Sequence, residues 1–496
     1  MNADHRMQPT IHHLIRDIAV YGTGDLILRA AALFTLPIYT RIFSPEEYGI
    51  WSLVITIIGL VSIILNLGGD TTYARFFFEA NTEEEKRLIT STWFAFLALW
   101  SVGVVVLCLP FTSFFSVWSF GTRKHALLFA LTLLASPLTL INSMCGQALR
   151  NRFQARTFAL MNVGSTLLSI GSSLFGAVVL KLGLTGVLAG VLFASLLILP
   201  VRLWTVRDLL CPIFSWRILR DLLSFGVPLV PSSLAYWVFA VSDRILLGKL
   251  STLEQVGLYA VANQVTSIMA FFHGALGQAW SPRAIRAYEE HDADASILFG
   301  RVMTYVLAGF GLLSVGITTF SSEILMVFSV PPFYGAKLAI GPLALGFVAY
   351  ATTQVSAIGI SLTKKTYYLA LFSWVAALLN FGGNILLIPK WGMIAASWTT
   401  FAAYLFLTVA YLTVSQRLWP VKYEKRRAWV VAGLTFIFTF AAPLLPALPL
   451  IIGTIIKSLY CTAFVGVLFL LKGSGDREWE ALLTFMRGKP VARRVT

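Results

Sequence analysis

Charged residues are scarce in this chain, and their scarcity excludes most classes of soluble protein. Only 12% of the 496 residues are Asp, Glu, Lys or Arg, whereas 57% are hydrophobic and the mean hydropathy is +0.78. A soluble protein of this length needs more polar surface, because water surrounds it on every side. A bilayer accepts apolar surface on every face of a helix, so the composition predicts an integral membrane protein.

Cysteine and the usual catalytic constellations are also rare. The four cysteines are Cys108, Cys145, Cys211 and Cys461, and we expect them to be small packing residues rather than disulfide partners or metal ligands. The polar loops are too short for a soluble domain, and they contain no paired carboxylates, metal-ligand cluster or nucleophile elbow. We therefore expect no catalytic residue, no metal site and no cofactor.

What the chain has in abundance is apolar stretches of about 20 residues. Each can cross a hydrocarbon core of about 30 Å at a rise of about 1.5 Å per residue. The segment Met1–Asp17 is polar, and the apolar run that follows exceeds signal-peptide length, so we expect no cleavable signal. The fourteen predicted spans are 18–40, 47–68, 89–110, 125–148, 157–180, 183–203, 222–248, 256–280, 302–321, 339–361, 367–389, 392–415, 428–446 and 449–471.

Basic residues test this layout and orient it. If the N-terminus is cytoplasmic, 28 of the 38 Lys and Arg residues fall on inside segments and 8 on outside segments or span ends. Arg29 and Lys457 lie within spans. This bias follows the positive-inside rule and predicts that both termini are cytoplasmic. The same excess of basic residues accounts for the net charge of +15, and we expect it to face anionic phospholipids. The sequence contains no basic module that would indicate a nucleic-acid partner.

The sequence repeats itself at an offset of 208–209 residues. The segment Ser44–Trp51 matches Thr252–Tyr259, and loop residues follow in the same order. At these offsets Gly69 pairs with Gly277, Arg75 with Arg283, and Gly183 with Gly392. Since each repeat holds six spans, an even number, both repeats should have the same orientation and be related by an axis along the membrane normal.

We therefore predict an all-α polytopic membrane protein with two parallel-related six-helix lobes and two extra helices. Glycine and proline interrupt the first span of each lobe, which either marks a transport pathway or reflects their ordinary frequency in membrane helices. The predicted regions are a cytoplasmic N-terminus (1–17), a first lobe (18–210), a second lobe (211–416), spans 13 and 14 (417–472) and a cytoplasmic tail (473–496).

Three motifs resemble the signatures of polysaccharide transporters, the Wzx-type lipid-linked oligosaccharide flippases of the MOP superfamily. The resemblance extends from about Asp17 to Trp419 and matches the arrangement of six plus six plus two spans. The motifs are Leu36–Gly49 in the first loop, Asp243–Gly248 followed by Val256–Tyr259, and Asn384–Pro389 followed by Gly392, Ala395 and Ala396.

The resemblance implies a MATE-like fold and a flippase function in the bacterial inner membrane. Members of this family move an undecaprenyl-diphosphate-linked repeat unit of O-antigen, capsule or exopolysaccharide to the periplasmic leaflet. They work by alternating access, often coupled to a H⁺ or Na⁺ gradient, and helices 13 and 14 are associated with a groove for the lipid tail. Implied partners are the polysaccharide polymerase and the glycosyltransferases of the pathway.

Three alternatives remain open. A peptidoglycan-precursor flippase shares the architecture, and so does a multidrug exporter, although the two extra spans and Arg29 disfavour the exporter. A membrane polymerase or ligase would need a sizeable outer loop with catalytic residues, and the outer loops here are short.

Arg29 is the leading candidate for substrate binding. It lies near the middle of span 1, where an arginine costs about 2.5–3.5 kcal/mol on insertion scales. A guanidinium there suits bidentate contact with a diphosphate. Asp25 lies four residues earlier on the same helical face and could release that contact or carry a proton. Alternatively, the two residues are a pair that only neutralises its own burial.

Asp70, Arg75 and Arg283 are candidates for an electropositive vestibule on the cytoplasmic side. Arg75 and Arg283 occupy matching places in the two lobes, and both also satisfy the positive-inside rule. The positive-inside rule gives no reason for an acidic residue at the end of a span, so the position of Asp70 indicates a role in the transport pathway.

Four further residues are candidates within or near spans. Asp243 and Arg244 form either an outer gate or an interfacial ion pair. His273 is either a titrating group for ion coupling or a buried, hydrogen-bonded histidine. Lys457 either extends to the interface or meets a phosphate of the lipid.

Overall fold

The computed structural model describes residues 35–289, 295–446 and 449–470, and these residues are helical, with no strand among them. The predicted site residues Asp25 and Arg29 lie outside the described residues. The helices, numbered in chain order, are α1 (35–42), α2 (Pro45–Asn66), α3 (Gly69–Glu79), α4 (Glu83–Cys108), α5 (Thr112–Phe120), α6 (Ala126–Asn151), α7 (Ala155–Leu174), α8 (Gly183–Thr205), α9 (Trp216–Gly226), α10 (Val230–Leu250), α11 (Leu253–Thr266), α12 (Ile268–Glu289), α13 (Ala295–Thr319), α14 (Ser321–Phe328), α15 (Lys337–Ser356), α16 (Ile358–Leu362), α17 (Tyr367–Leu418), α18 (Lys425–Ala441) and α19 (Leu450–Leu470).

Most of the predicted membrane spans are confirmed as helices that could cross a bilayer. Eleven described segments are helical, long enough and apolar enough to do so, and one of them, α17, contains two predicted spans. The predicted span 256–280 is not among the eleven and falls on α11 and α12, which meet at Ser267. The chain is therefore a multi-pass membrane protein.

The matching loops of the repeat end in matching helix caps. Ser44 begins α2 with a capping box, in which its hydroxyl accepts from the Glu47 amide and the Glu47 carboxylate accepts from the Ser44 amide. Thr252 begins α11, and its hydroxyl accepts from the Gln255 amide. Such caps satisfy amides that have no partner within the helix. The local sequence thus starts both helices at the same point of the repeat.

The long helix α17 is a hairpin rather than one rod. Gly392 has φ 55° and ψ −132°, a left-handed conformation that a residue with a Cβ rarely adopts. Beyond Gly392 the chain turns back along itself. The two arms of the hairpin are in contact, since the Tyr411 hydroxyl donates to the backbone oxygen of Leu369. Gly183 has φ 57° between α7 and α8, where Ser172 contacts Gly190. Glycines predicted to pair in the repeat therefore turn the chain at the same place in both lobes.

The helices α2 and α11 cross at two glycines through a self-complementary contact. A Cβ on Gly49 would lie 2.0 Å from the Leu253 carbonyl oxygen, and a Cβ on Gly257 would lie 1.8 Å from the Pro45 carbonyl oxygen. Pro45 and Leu253 are themselves equivalent at the offset of 208. The contact thus has the reciprocity of a two-fold axis, as expected for parallel-related lobes.

Beyond this crossing α10 of the second lobe stays beside α2, and a Cβ on Gly68, just after α2, would lie 2.8 Å from the backbone oxygen of Gly226. The α2–α11 pair belongs to the largest cluster of buried apolar side chains, whereas α3 and α12 share no extensive packing with each other. Helix α9 packs on α3 and α4 through Leu219 and Leu222, although its sequence was assigned to the second lobe. No structural observation tests the boundaries of the two lobes, 18–210 and 211–416, which therefore stay a prediction.

Candidate functional site

Helices α3 and α12 carry four of the predicted site residues, Asp70 and Arg75 on α3 and His273 and Arg283 on α12. Asp70 is half-buried, and its carboxylate accepts from the Asn66 amide at 3.4 Å while its backbone oxygen accepts from Gln147 at 3.3 Å. These bonds hold Asp70 where α3 meets α6, and its role in a transport pathway stays a prediction.

The two matching arginines differ in their surroundings. The Arg75 guanidinium is exposed, pairs with Glu79 at 2.8 Å and lies 4.5 Å from the centre of the Phe225 ring. Arg283 is half-buried on α12. The exposed ion pair of Arg75 and Glu79, one helical turn apart, contributes little stability. Little free energy is therefore lost if the Arg75 guanidinium contacts an incoming anion instead.

Asp243 is buried in the second lobe, with 3% of its surface exposed. Its carboxylate accepts from the Tyr259 hydroxyl and, at 2.8 Å, from the Arg244 backbone amide. The Arg244 Nε is buried and has no hydrogen-bond partner. The carboxylate is therefore bonded to a tyrosine rather than to the arginine side chain, which differs from the predicted interfacial ion pair.

A chain of polar side chains continues from Asp243 into the α17 hairpin. Tyr259 is in hydrogen-bonding contact with Thr400, which accepts from the Asn380 amide at 3.3 Å. Asn384 donates to Asn380 at 3.1 Å and accepts from the Thr399 hydroxyl. Buried polar groups of this kind are costly unless bonded, and here they bond one another.

This arrangement offers one carboxylate among neutral oxygen donors. Such a site suits a proton or a monovalent cation, because a divalent ion favours several carboxylates. The described residues contain no group of three or more His, Cys, Asp and Glu that could hold a metal ion. The role of Asp243 in gating or ion coupling stays a prediction.

His273 is buried on α12 and has a partner. One ring nitrogen, Nε2, lies 3.1 Å from the amide nitrogen of Gln354, and the ring stacks on Tyr350 at a centroid distance of 4.0 Å. This geometry matches the buried, hydrogen-bonded alternative for His273.

Lys457 has a protein partner that neither predicted alternative included. Its ammonium lies 2.6 Å and 2.8 Å from the two carboxylate oxygens of Glu323 on α14. Both side chains are largely buried, so the pair connects α19 to the second lobe. A lysine held in this way is a structural contact between the extra helices and the lobe.

Sequence reasoning missed Arg202. It was counted with the basic residues of the inside segments, whereas the structure buries it among α6, α7 and α8 with 5% of its surface exposed. The available signal was its position inside the predicted span 183–203. The asparagines Asn380 and Asn384, four residues apart in an apolar span, were a similar signal for the second lobe.

Comparison with known proteins gives the family and the fold. The model of a family described as "Polysaccharide biosynthesis protein" matches residues 14–288. The succinoglycan biosynthesis transport protein ExoT of Rhizobium meliloti is 25% identical over 243 residues, 47% of this chain and 46% of that protein. A probable multidrug resistance protein NorM of Caulobacter vibrioides is 27% identical over 205 residues, 39% of this chain and 42% of that protein. The matches thus cover about half the length of these curated relatives.

Solved structures share the fold over nearly the whole chain. The lipid II flippase MurJ in an inward closed conformation is 14% identical, covers 91% of this chain and 99% of that chain, and has a TM-score of 0.73. An inward-facing MATE family multidrug transporter of the MOP superfamily is 14% identical, covers 82% of this chain and 95% of that chain, and has a TM-score of 0.65. The fold is therefore of the MurJ and MATE type, and these neighbours are transporters or flippases rather than enzymes.

Proposed function

Because the chain belongs to the polysaccharide biosynthesis protein family, we propose that it flips an undecaprenyl-diphosphate-linked oligosaccharide from the cytoplasmic to the periplasmic leaflet of the bacterial inner membrane. The cargo would be a repeat unit of O-antigen, capsule or exopolysaccharide. In this proposal the chain performs no bond chemistry, and the polymerase and glycosyltransferases of the same pathway act before and after it.

The observation that carries the proposal is the contact between α2 and α11. The lobes meet tightly at Gly49 and Gly257, whereas α3 and α12, which follow α2 and α11 in the chain, share no extensive packing with each other. Lobes that meet in this way can open and close the crossing by rocking against each other. A headgroup that enters between α3 and α12 would leave through the opened crossing.

The charges near the opening suit such a cargo. A diphosphate and its sugars are costly to move through hydrocarbon, so they need a polar route with fixed cations. Arg75 is exposed on α3, and Arg283 lies at the matching place on α12. We propose that this pair attracts the diphosphate and that Arg29 binds it deeper in the pathway.

Ion coupling is the second part of the proposal. Asp243 can change its charge by taking a proton or by binding Na⁺, and its neighbours Tyr259, Thr400, Asn380 and Asn384 belong to α11 and α17. A change of charge at Asp243 would therefore alter the packing of α10 against both elements. This supplies a physical link between an ion gradient and the rocking of the lobes.

The test is deletion of the gene in its own bacterium. We expect loss of the surface polysaccharide and accumulation of the lipid-linked oligosaccharide in the cytoplasmic leaflet, measured by access of an impermeant lectin or glycosidase to spheroplasts. Arg29→Ala should fail to restore export at normal membrane levels, whereas Arg87→Ala, an exposed arginine at the start of α4, should restore it.

Two outcomes would overturn the proposal. An unchanged polysaccharide and leaflet distribution would exclude this cargo. Rescue of a strain depleted of its lipid II flippase, without any effect on polysaccharide, would assign the peptidoglycan precursor instead. Full activity of Arg29→Ala would remove Arg29 from the mechanism.

A further inference from the structure

The first lobe contains a polar cavity separate from the space between the lobes. It lies among α6, α7 and α8, and its volume is about 270 Å³. A cavity of roughly 10–15 Å³ already holds one water molecule, so this one has room for a larger polar group. The side chains that define it for this argument are Asn142, Ser143, Asn162, Ser165, Ser169 and Arg202.

Arg202 is the cation of this cavity. Its Nη1 donates to the backbone oxygen of Asn142 at 2.8 Å, and its Nη2 donates to Asn162 Oδ1 at 2.8 Å and Ser165 Oγ at 2.7 Å. These partners are neutral. Arg202 forms no ion pair with any carboxylate of the described residues, and arginine does not lose its proton in proteins.

The cavity also keeps unused hydrogen-bonding capacity. The Nε of Arg202 is buried without a partner, and the side-chain oxygen of Asn142 is buried without one. Buried polar atoms in native proteins are normally bonded, so the described surroundings of Arg202 leave part of its hydrogen-bonding capacity unsatisfied.

The second lobe shows that the fold does not need a charge at this position. Tyr411 is the counterpart of Arg202, because each lies 19 residues beyond the glycine that turns its hairpin, Gly392 and Gly183. The Tyr411 hydroxyl makes the same kind of bond to the first arm of its hairpin, to the Leu369 backbone oxygen at 3.2 Å. Around Tyr411 the second lobe is filled with apolar side chains.

We propose that the first-lobe cavity binds a phosphate group, held by Arg202. A phosphate in the cavity accepts charge-assisted hydrogen bonds from the guanidinium, the contact for which arginine is suited. The exposed hydroxyl of Ser143 and the half-buried hydroxyl of Ser169 can donate to the remaining oxygens. Either a free small anion or the headgroup of an anionic lipid can supply this chemistry.

The test uses the purified full chain and measures its melting temperature against inorganic phosphate at constant ionic strength. Phosphate stabilises many proteins nonspecifically, so the expected signal is a saturable rise at millimolar concentration. Arg202→Gln should abolish the saturable rise. Arg207→Gln should keep it, because Arg207 is exposed and lies 3.6 Å from the ring centre of Trp204, outside the cavity.

Nanodiscs separate the two sources of phosphate. If a lipid headgroup fills the cavity, phosphatidylglycerol should stabilise the protein over phosphatidylcholine in the original chain and in Arg207→Gln, but not in Arg202→Gln. Inorganic phosphate acting alone would assign a free anion. A folded Arg202→Gln variant that responds as the original chain does, or no response to either probe, would overturn the proposal.

A second measurement leaves Arg202 in place. Ser143→Cys puts a thiol in the cavity wall, and inorganic phosphate should slow its modification by an anionic thiol reagent. Unchanged rates of thiol modification would contradict the proposal even if Arg202→Gln failed to fold.

Asp25→Asn tests whether the charge of Arg202 is neutralised by Asp25, an acid outside the described residues. If phosphate stabilises only the Asp25→Asn variant, the Asp25 carboxylate of the chain neutralises Arg202 in place of a phosphate. That result would overturn the proposal.

Discussion

Asp243 shows how a single buried charge can depend on its hydrogen-bond partners. Its carboxylate accepts from Tyr259 and from the Arg244 backbone amide, so the group is satisfied without an ion pair. Losing one partner of a buried bond costs about 1–3 kcal/mol, whereas a substitution of the same shape that keeps the bonds costs less. Charge and structure can therefore be separated at this residue.

Asp243→Asn should remove ion-gradient dependence while the protein still folds. The amide oxygen can still accept from Tyr259, although the Arg244 backbone amide loses its carboxylate acceptor, and the residue no longer takes a proton or balances a cation. Tyr259→Phe is the matched variant, and we expect it to lower the melting temperature more than Asp243→Asn does. Transport into vesicles with and without a H⁺ or Na⁺ gradient measures the effect, and retained gradient dependence in Asp243→Asn would exclude Asp243 as the coupling group.

At the scale of elements, the crossing of α2 and α11 depends on the absence of side chains. Gly49 and Gly257 bring each backbone against the carbonyl that begins the other helix. The apolar cluster around this crossing includes Tyr48, Leu258 and Tyr259. The two backbones therefore lie in direct contact at the crossing, with apolar side chains packed around them.

Gly257→Ala should destabilise the closed crossing. The new Cβ would meet the Pro45 carbonyl oxygen at 1.8 Å, and overpacking of this kind costs about 1–3 kcal/mol. Gly103→Ala is the control, because a Cβ on Gly103 within α4 meets nothing within 4 Å. Thermal unfolding should separate the two variants, and an equal melting temperature for both would show that the crossing is not tightly packed.

At the scale of the whole molecule, orientation follows from loop charge. The segment 206–215 between α8 and α9 is predicted to be cytoplasmic and contains Cys211, whereas the turn 121–125 before α6 is predicted to be periplasmic. Lys and Arg stay on the cytoplasmic side because their translocation is unfavourable. The two segments therefore report opposite faces of the membrane.

An impermeant maleimide should label Thr122→Cys in intact spheroplasts and label Cys211 only after lysis. For the Cys211 measurement the other three cysteines are replaced by serine, and for Thr122→Cys all four native cysteines are replaced, so that each signal is specific. Labelling in the reverse order would invert the topology and the direction of the proposed transport.

The sequence predicted more of the spans than of the site. Apolar runs located eleven helical segments that could cross a bilayer, and the repeat located the hairpin glycines Gly183 and Gly392, since span length and left-handed turns depend on local sequence. Asp243 was predicted to form a gate or an ion pair with Arg244, but its carboxylate accepts from Tyr259 on the next helix, a contact that depends on how α10 and α11 pack. Arg202 was taken for a loop cation because its burial depends on three helices at once.

The amino-acid sequence by itself therefore determined that this is a multi-pass membrane protein of two repeats, because hydropathy, loop charge and glycine positions act within a few residues. Only the tertiary structure decided which polar groups face one another. It paired Lys457 with Glu323, joined Asp243 to the α17 hairpin and enclosed Arg202 in a polar cavity. A charge inside a membrane protein acquires its role from the helices packed around it, and helix packing is a property of the whole chain.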